Sequence, residues 1–230
     1  MPAVLLFAFA DVPAQVLAAL RATTLLEWAA VGTGFACVWL AARESRWNFP
    51  VAIVSCGLYI LIYNQIHLYS DRNLQGFFIA LNAYGWYEWR YGGRQRTPLP
   101  IGRTTPREWL LGSLFAAAYT AGFGYYLAHH TDAAFPYLDS LTTGVSLVAQ
   151  FLLMRKRLEN WLLWLAVDAV YVPILWLKGL YPTSLLYALY LGLAAYGYWQ
   201  WRKGVGSWEA VQLPSSDEEG TLPRSGNWGG

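Results

Sequence analysis

Charge is what this sequence has least of. Only 13% of its 230 residues are Asp, Glu, Lys or Arg, about half the share found in an ordinary soluble domain. A water-soluble globule with a charged shell is therefore excluded. Lysine is scarcer still, at Lys156, Lys178 and Lys203 alone. A retinal photoreceptor needs a buried lysine in its last helix, and here Lys178 and Lys203 fall at helix ends. The net charge of +2 gives nucleic-acid binding no support. The two cysteines, Cys37 and Cys56, lie in apolar stretches without metal-ligand spacing or an aqueous loop in which to pair, and read as small packing residues. His67, His129 and His130 have no carboxylate or cysteine at ligand spacing and read as solvated surface. No GxSxG, HExxH or phosphate-cradling glycine loop occurs. A membrane enzyme would need a nucleophile, a metal or an acid pair at depth. The expectation is no catalytic residue, no metal and no cofactor.

What is abundant is apolar and aromatic. Hydrophobic residues make up 56% of the chain, with 13 Trp and 16 Tyr, and the charges gather between long apolar stretches rather than within them. Seven stretches, 25–42, 50–69, 74–89, 109–128, 138–154, 161–177 and 184–201, approach the roughly 20 helical residues needed to cross a hydrocarbon core. Open sheet edges cannot sit in lipid, so the class is an all-α polytopic membrane protein. Residues 1–24 form an apolar segment interrupted by Asp11 and Pro13, read as interfacial, and no basic residue precedes it as a signal peptide would require. Residues 204–230 are polar and glycine-rich, read as a disordered tail.

Loop charge sets the orientation. Seven spans place three basic residues, Arg21, Arg72 and Lys178, on one side and thirteen on the other. Basic loops stay in the cytoplasm, so the N-terminus is expected outside and the C-terminus inside.

The chain also repeats itself. Residues 27–89 align without a gap on 139–201 at an offset of 112, pairing Asn48 with Asn160, Gly85 with Gly197 and Trp89 with Trp201. A three-helix unit leaves the chain on the far side, and one further crossing lets the second unit run parallel to the first. This predicts a 3+1+3 architecture: a first repeat over 25–91, a basic loop and linker helix over 92–136, and a second repeat over 137–203. Parallel repeats of this kind occur in transporters, with the ligand site near the midplane between repeats.

Polar residues within apolar stretches are costly and mark candidate sites. Those at positions the two halves share read as scaffold. Glu27 and Asp139 suit helix N-termini, and Asn48 and Asn160 precede equivalent helices as expected N-caps. At unshared positions Gln150 faces Val38, Asp168 faces Cys56 and Asn82 faces Ala194, and an asymmetric ligand needs such broken symmetry. Trp161, Trp164 and Asp168 fall at i, i+3 and i+7 and share a helix face. An aromatic wall beside a hydrogen-bonding group suits a flat ring carrying an amide, or a cationic ring held by cation–π attraction. Equally, Trp161 fits an interfacial aromatic belt and Trp164 fits bundle packing. No intramembrane charge relay is evident, which favours an uncoupled carrier.

The stretch from Trp47-Asn48-Phe49-Pro50 to Trp89, and the second-half run from Gln150 through Arg155-Lys156-Arg157 to Asn160-Trp161 and Trp164, resemble the PnuC family of bacterial vitamin transporters over roughly residues 25–203. The resemblance implies a nicotinamide riboside carrier of the inner membrane, related in fold to the SWEET sugar carriers. It would work by facilitated diffusion, with cytoplasmic phosphorylation trapping the substrate. It carries Gln150, Trp161, Trp164 and Asp168 over as ring and ribose contacts, with Asn48, Asn82 and Tyr187 beside them, and implies a homotrimer in the bilayer. Related proteins are assigned to thiamine, riboflavin or nucleosides, and a non-transporting seven-helix receptor is the alternative from another class.

Overall fold

The computed structural model describes residues 12–65, 69–131 and 135–212, and within them eight α-helices: α1 (Val12–Ala22), α2 (Leu25–Ala42), α3 (Asn48–Gln65), α4 (Tyr69–Tyr91), α5 (Pro106–His130), α6 (Pro136–Met154), α7 (Asn160–Leu177) and α8 (Tyr181–Gln212). Local sequence explains where two of them start. Thr24 accepts from Glu27 N while the Glu27 carboxylate takes the Thr24 N–H, and Thr105 and Glu108 repeat the arrangement at α5, with Pro106 in the first turn. Each capping box satisfies two helix-end donors at once. Pro50 sits in the first turn of α3, where a missing N–H costs nothing.

Helices α2 to α8 have 18 residues or more, at least about 27 Å each at 1.5 Å per residue, enough to match a hydrocarbon core. On apolar composition alone α2, α6 and α7 qualify as spans, with mean hydropathies of 1.5, 1.2 and 1.5. The other four are more polar or more aromatic along their length.

Two expectations are corrected. The helix α8 runs to Gln212, so the polar tail does not begin at residue 204. Val205 is buried, and a Cβ on Gly204 would lie 2.9 Å from the Ile101 side chain, so the helix is held against the 97–105 loop. Asn48 and Asn160 are not N-caps. Each stands inside its helix, and its Nδ2 donates back to a carbonyl three residues earlier, Ser45 O at 2.8 Å and Arg157 O at 2.6 Å. A cap must offer an acceptor to the first turn; these amides brace the preceding loop instead. His67 and most of the N-terminal segment lie outside the described residues, while His129 and His130 are exposed.

The packing follows the repeat. In the first half α2 packs on α3 and α3 on α4; in the second, α6 packs on α7 and α7 on α8. The halves meet reciprocally, α2 on α8 and α4 on α6, with α5 lying along α6. The same reciprocity holds atom by atom. Trp89 Nε1 donates to Leu153 O at 3.0 Å, and Trp201 Nε1 donates to Ala41 O at 3.1 Å; both pairs are related by the offset of 112. The Phe49 and Trp89 rings meet edge to face at 5.0 Å, and their counterparts Trp161 and Trp201 do so at 5.5 Å. Gly85 and Gly197 admit the Phe49 and Trp161 rings against the helix backbone, where any Cβ would collide. Glu44 and Lys156, also counterparts, both take left-handed φ angles of 57° and 53° and pair at 3.3 Å. The crossed tryptophans bind each half to the first helix of the other.

Candidate functional site

Between the halves lies a cavity of about 420 Å³, within the usual range for a small-molecule site. Its wall comes from α2, α3, α4, α6, α7 and α8, and none of it from α1 or α5. All seven residues expected from sequence line it: Asn48, Asn82, Gln150, Trp161, Trp164, Asp168 and Tyr187.

Symmetry of position is combined with asymmetry of chemistry. Val38 with Gln150, Cys56 with Asp168 and Asn82 with Ala194 are offset-112 pairs, and every member lines the cavity. So do Ala52 with Trp164, Gln75 with Tyr187 and Phe78 with Tyr190. In none of these pairs do the residues match. Within these pairs the second half brings Gln150, the carboxylate, the Trp164 indole and two phenols; the first brings Asn82, Gln75 and Phe78 beside the small side chains of Val38, Ala52 and Cys56.

Trp161 is 2% exposed, which removes it from any lipid-facing belt. Its indole packs edge to face on Trp201, and its Nε1 has no hydrogen-bond partner among the described residues. A buried donor without a partner costs roughly 1–3 kcal/mol, a cost an incoming acceptor would offset. Trp164 is half-buried beside it. Asn82 Nδ2 donates to Phe78 O at 2.8 Å, which fixes the amide and leaves its carbonyl oxygen and second N–H to offer a ligand. Asn48, braced on Ser45, offers its oxygen likewise. Asp168 is 4% exposed and takes part in none of the ion pairs among the described residues. Among the described residues it is the one Asp, Glu, Lys or Arg in the cavity wall.

Sequence reasoning missed Tyr59, Tyr63, Tyr190 and Ser55, which also line the cavity. A helical stripe at 48, 52, 55, 59 and 63 on α3 marks three of them, and Tyr190 faces Phe78 in the repeat. Asn64 and Gln65, further along the same helix, are exposed. Cys37 and Cys56 are unpaired, as expected, and face the cavity.

Long helices, apolar outer faces rich in exposed Leu, Phe, Tyr and Trp and an internal cavity lined by aromatic side chains and a few polar ones define a multi-pass α-helical membrane protein. The chain belongs to the PnuC family of transporters: the model described as "nicotinamide mononucleotide transporter" matches residues 24–203. It is 33% identical to the nicotinamide riboside transporter PnuC of Escherichia coli (strain K12), an alignment covering 76% of this chain and 85% of that one. The corresponding protein of Neisseria mucosa is 30% identical over 74% of this chain and 69% of its own length. The riboflavin/roseoflavin transporter RibM of Streptomyces davaonensis is 29% identical, covering 70% and 77%. A crystal structure of the vitamin B3 transporter PnuC superposes with a TM-score of 0.63 at 27% identity, over 89% of this chain and 92% of that one.

Proposed function

We propose that this protein carries nicotinamide riboside across the bacterial inner membrane by alternating access around the cavity between its halves. The observation that carries the reading is the composition of that wall. Trp161 and Trp164 offer flat π faces, Gln150, Asn48 and Asn82 offer hydrogen bonds to an amide and a ribose, and Asp168 offers a negative charge to the pyridinium. Tyr187 stands beside them on α8. Among the described residues the wall contains no Lys, Arg or His, so there a phosphate would lie beside a carboxylate with no countercharge. The riboside therefore fits better than the mononucleotide. Transport is facilitated diffusion, with cytoplasmic phosphorylation consuming the riboside and drawing the flow inward; the chain itself performs no covalent step.

The crossing pattern that supports this is 3+1+3, with α5 as the linker helix, the N-terminus outside and the C-terminus in the cytoplasm. The four ion pairs Arg103–Glu159, Arg155–Glu88, Lys156–Glu44 and Arg157–Glu108 gather on loops at the basic end that this orientation places inside. Copies assemble as a trimer; the exposed apolar residues of α5, Leu110, Leu111, Leu114 and Phe115 among them, are available to lipid or to a second copy. The test is uptake of labelled nicotinamide riboside into proteoliposomes, competed by unlabelled substrate. Uptake equal to that of empty liposomes contradicts the reading.

A further inference from the structure

The repeat also orders the cavity by depth. The halves pack reciprocally, α2 on α8 and α4 on α6, so residues related by the offset of 112 stand at matching depths on the two walls. Asn82 and Ala194 mark one level. Phe78 and Tyr190 stand four residues earlier on α4 and α8, one helical turn or about 6 Å further from the ion-paired loops. At that level both walls present an aromatic ring. The Tyr190 ring is braced. A Cβ on Gly34 of α2 would lie 3.3 Å from its hydroxyl and 3.7 Å from Ser55 Oγ, so the phenol reaches α2 through the gap that a glycine leaves. Ser55 Oγ donates to Ala30 O at 3.2 Å and ties α3 to α2 beside it. The Tyr187 ring meets Tyr190 edge to face at 6.2 Å. On the other wall the Phe78 carbonyl holds the Asn82 amide, which joins this level to the one below.

We propose that Phe78 and Tyr190 form a size filter, one turn outward of the Asn82 level, that admits nicotinamide riboside and excludes a flavin. This rests on the functional reading above and deepens it, leaving facilitated diffusion unchanged. The indoles and amides of the lower wall suit many flat rings, and attraction alone separates ligands that differ by a few carbons poorly. A clash rejects the larger one. In nicotinamide riboside the ring and the ribose follow one another in line, and either end can lead. In riboflavin the ribityl chain branches from the middle of three fused rings, so the molecule has no end-on profile as narrow. To pass, it must displace a phenol packed against the α2 backbone, and forcing bulk into a packed site drives side chains off their rotamers.

Uptake of labelled nicotinamide riboside and of riboflavin into proteoliposomes tests this in wild type, Tyr190→Ala, Phe78→Ala and Tyr190→Phe. Wild type is expected to move nicotinamide riboside and little riboflavin. In each alanine variant the ratio of riboflavin to nicotinamide riboside uptake is expected to rise roughly tenfold or more. Damaged folding does not produce a gain of transport for the larger molecule. Tyr190→Phe keeps the ring, loses only the hydroxyl, and is expected to keep the wild-type ratio. The two alanine variants open the filter from opposite walls, so either decides the matter where the other does not fold. An unchanged ratio in a folded alanine variant, or an equal rise in Tyr190→Phe, overturns the filter and leaves the substrate assignment standing. Wild type that moves riboflavin as fast as nicotinamide riboside also overturns the filter. Folded, reconstituted wild type that moves no nicotinamide riboside overturns the substrate assignment and the filter with it.

Discussion

Three glycines allow the packing of the site to be tested with one type of substitution. On α8, Gly192 has nothing within 4 Å of a would-be Cβ, whereas at Gly197 the same atom would sit 2.6 Å from the Trp161 indole. Alanine gains about 1 kcal/mol of helix propensity at either position, so that gain cancels in a comparison along one helix. What remains is the overpacking at Gly197, about 1–3 kcal/mol. For a chain of this size the difference in melting temperature between Gly192→Ala and Gly197→Ala is then roughly 2–12 °C, measurable by tryptophan fluorescence in detergent. Because Trp161 lines the cavity, Gly197→Ala also displaces the site, and nicotinamide riboside affinity falls on the order of tenfold. Gly85→Ala strains the counterpart contact with Phe49, which is absent from the cavity wall. It costs similar stability and changes affinity less than about threefold. Equal melting and equal binding for Gly192→Ala and Gly197→Ala would refute the close packing of Trp161 against α8.

Further predictions concern the wall, the clasp and the basic loops. Trp164→Ala removes a stacking face worth about 1–3 kcal/mol and weakens binding roughly 5- to 150-fold by calorimetry. Trp89→Phe and Trp201→Phe each delete one indole–carbonyl hydrogen bond; their rings lie 5.6 Å apart, so a double-mutant cycle shows coupling of at least about 0.5 kcal/mol, and strict additivity would contradict a shared clasp. Burial works to raise the Glu108 carboxyl, but bonds from Thr105 and Arg157 outweigh it and hold the carboxyl below its ordinary range. With the folded value depressed, this stabilisation is complete above the unfolded pKa of about 4.3 and fades as pH falls through the folded value. Wild type therefore loses melting temperature on acidification more steeply than Glu108→Gln, and parallel curves would exclude that role.

The sequence made the bundle legible because lipid imposes a simple rule: long uncharged runs become helices. The bounds of α2 were readable to the residue, since Thr24 and Glu27 cap it and Arg43 ends it. The end of α8 was not, because glycines and charges at 203–209 look like a loop until Ile101 and Val205 are seen packed together. The site was legible through the repeat. Gln150, Asp168 and Asn82 stood out because their counterparts are apolar or small, and all three meet in the cavity. Tyr59, Tyr63 and Tyr190 were hidden, since a tyrosine in a membrane helix looks the same whether it packs, faces lipid or faces a ligand. Asn48 and Asn160 were misjudged by one helical position, which turned an expected cap into a brace. Offset pairing also revealed the crossed tryptophans only in part: it showed that Trp89 and Trp201 correspond, but not that each reaches the other half.

The central claim is that the cavity selects nicotinamide riboside. Calorimetric titration of the purified protein with nicotinamide riboside, thiamine, riboflavin and a pyrimidine nucleoside tests it most directly. The account predicts tightest binding by nicotinamide riboside, lost or sharply weakened in Trp164→Ala, with uncharged riboflavin well behind. Absence of nicotinamide riboside binding, or riboflavin binding as tightly, would contradict it.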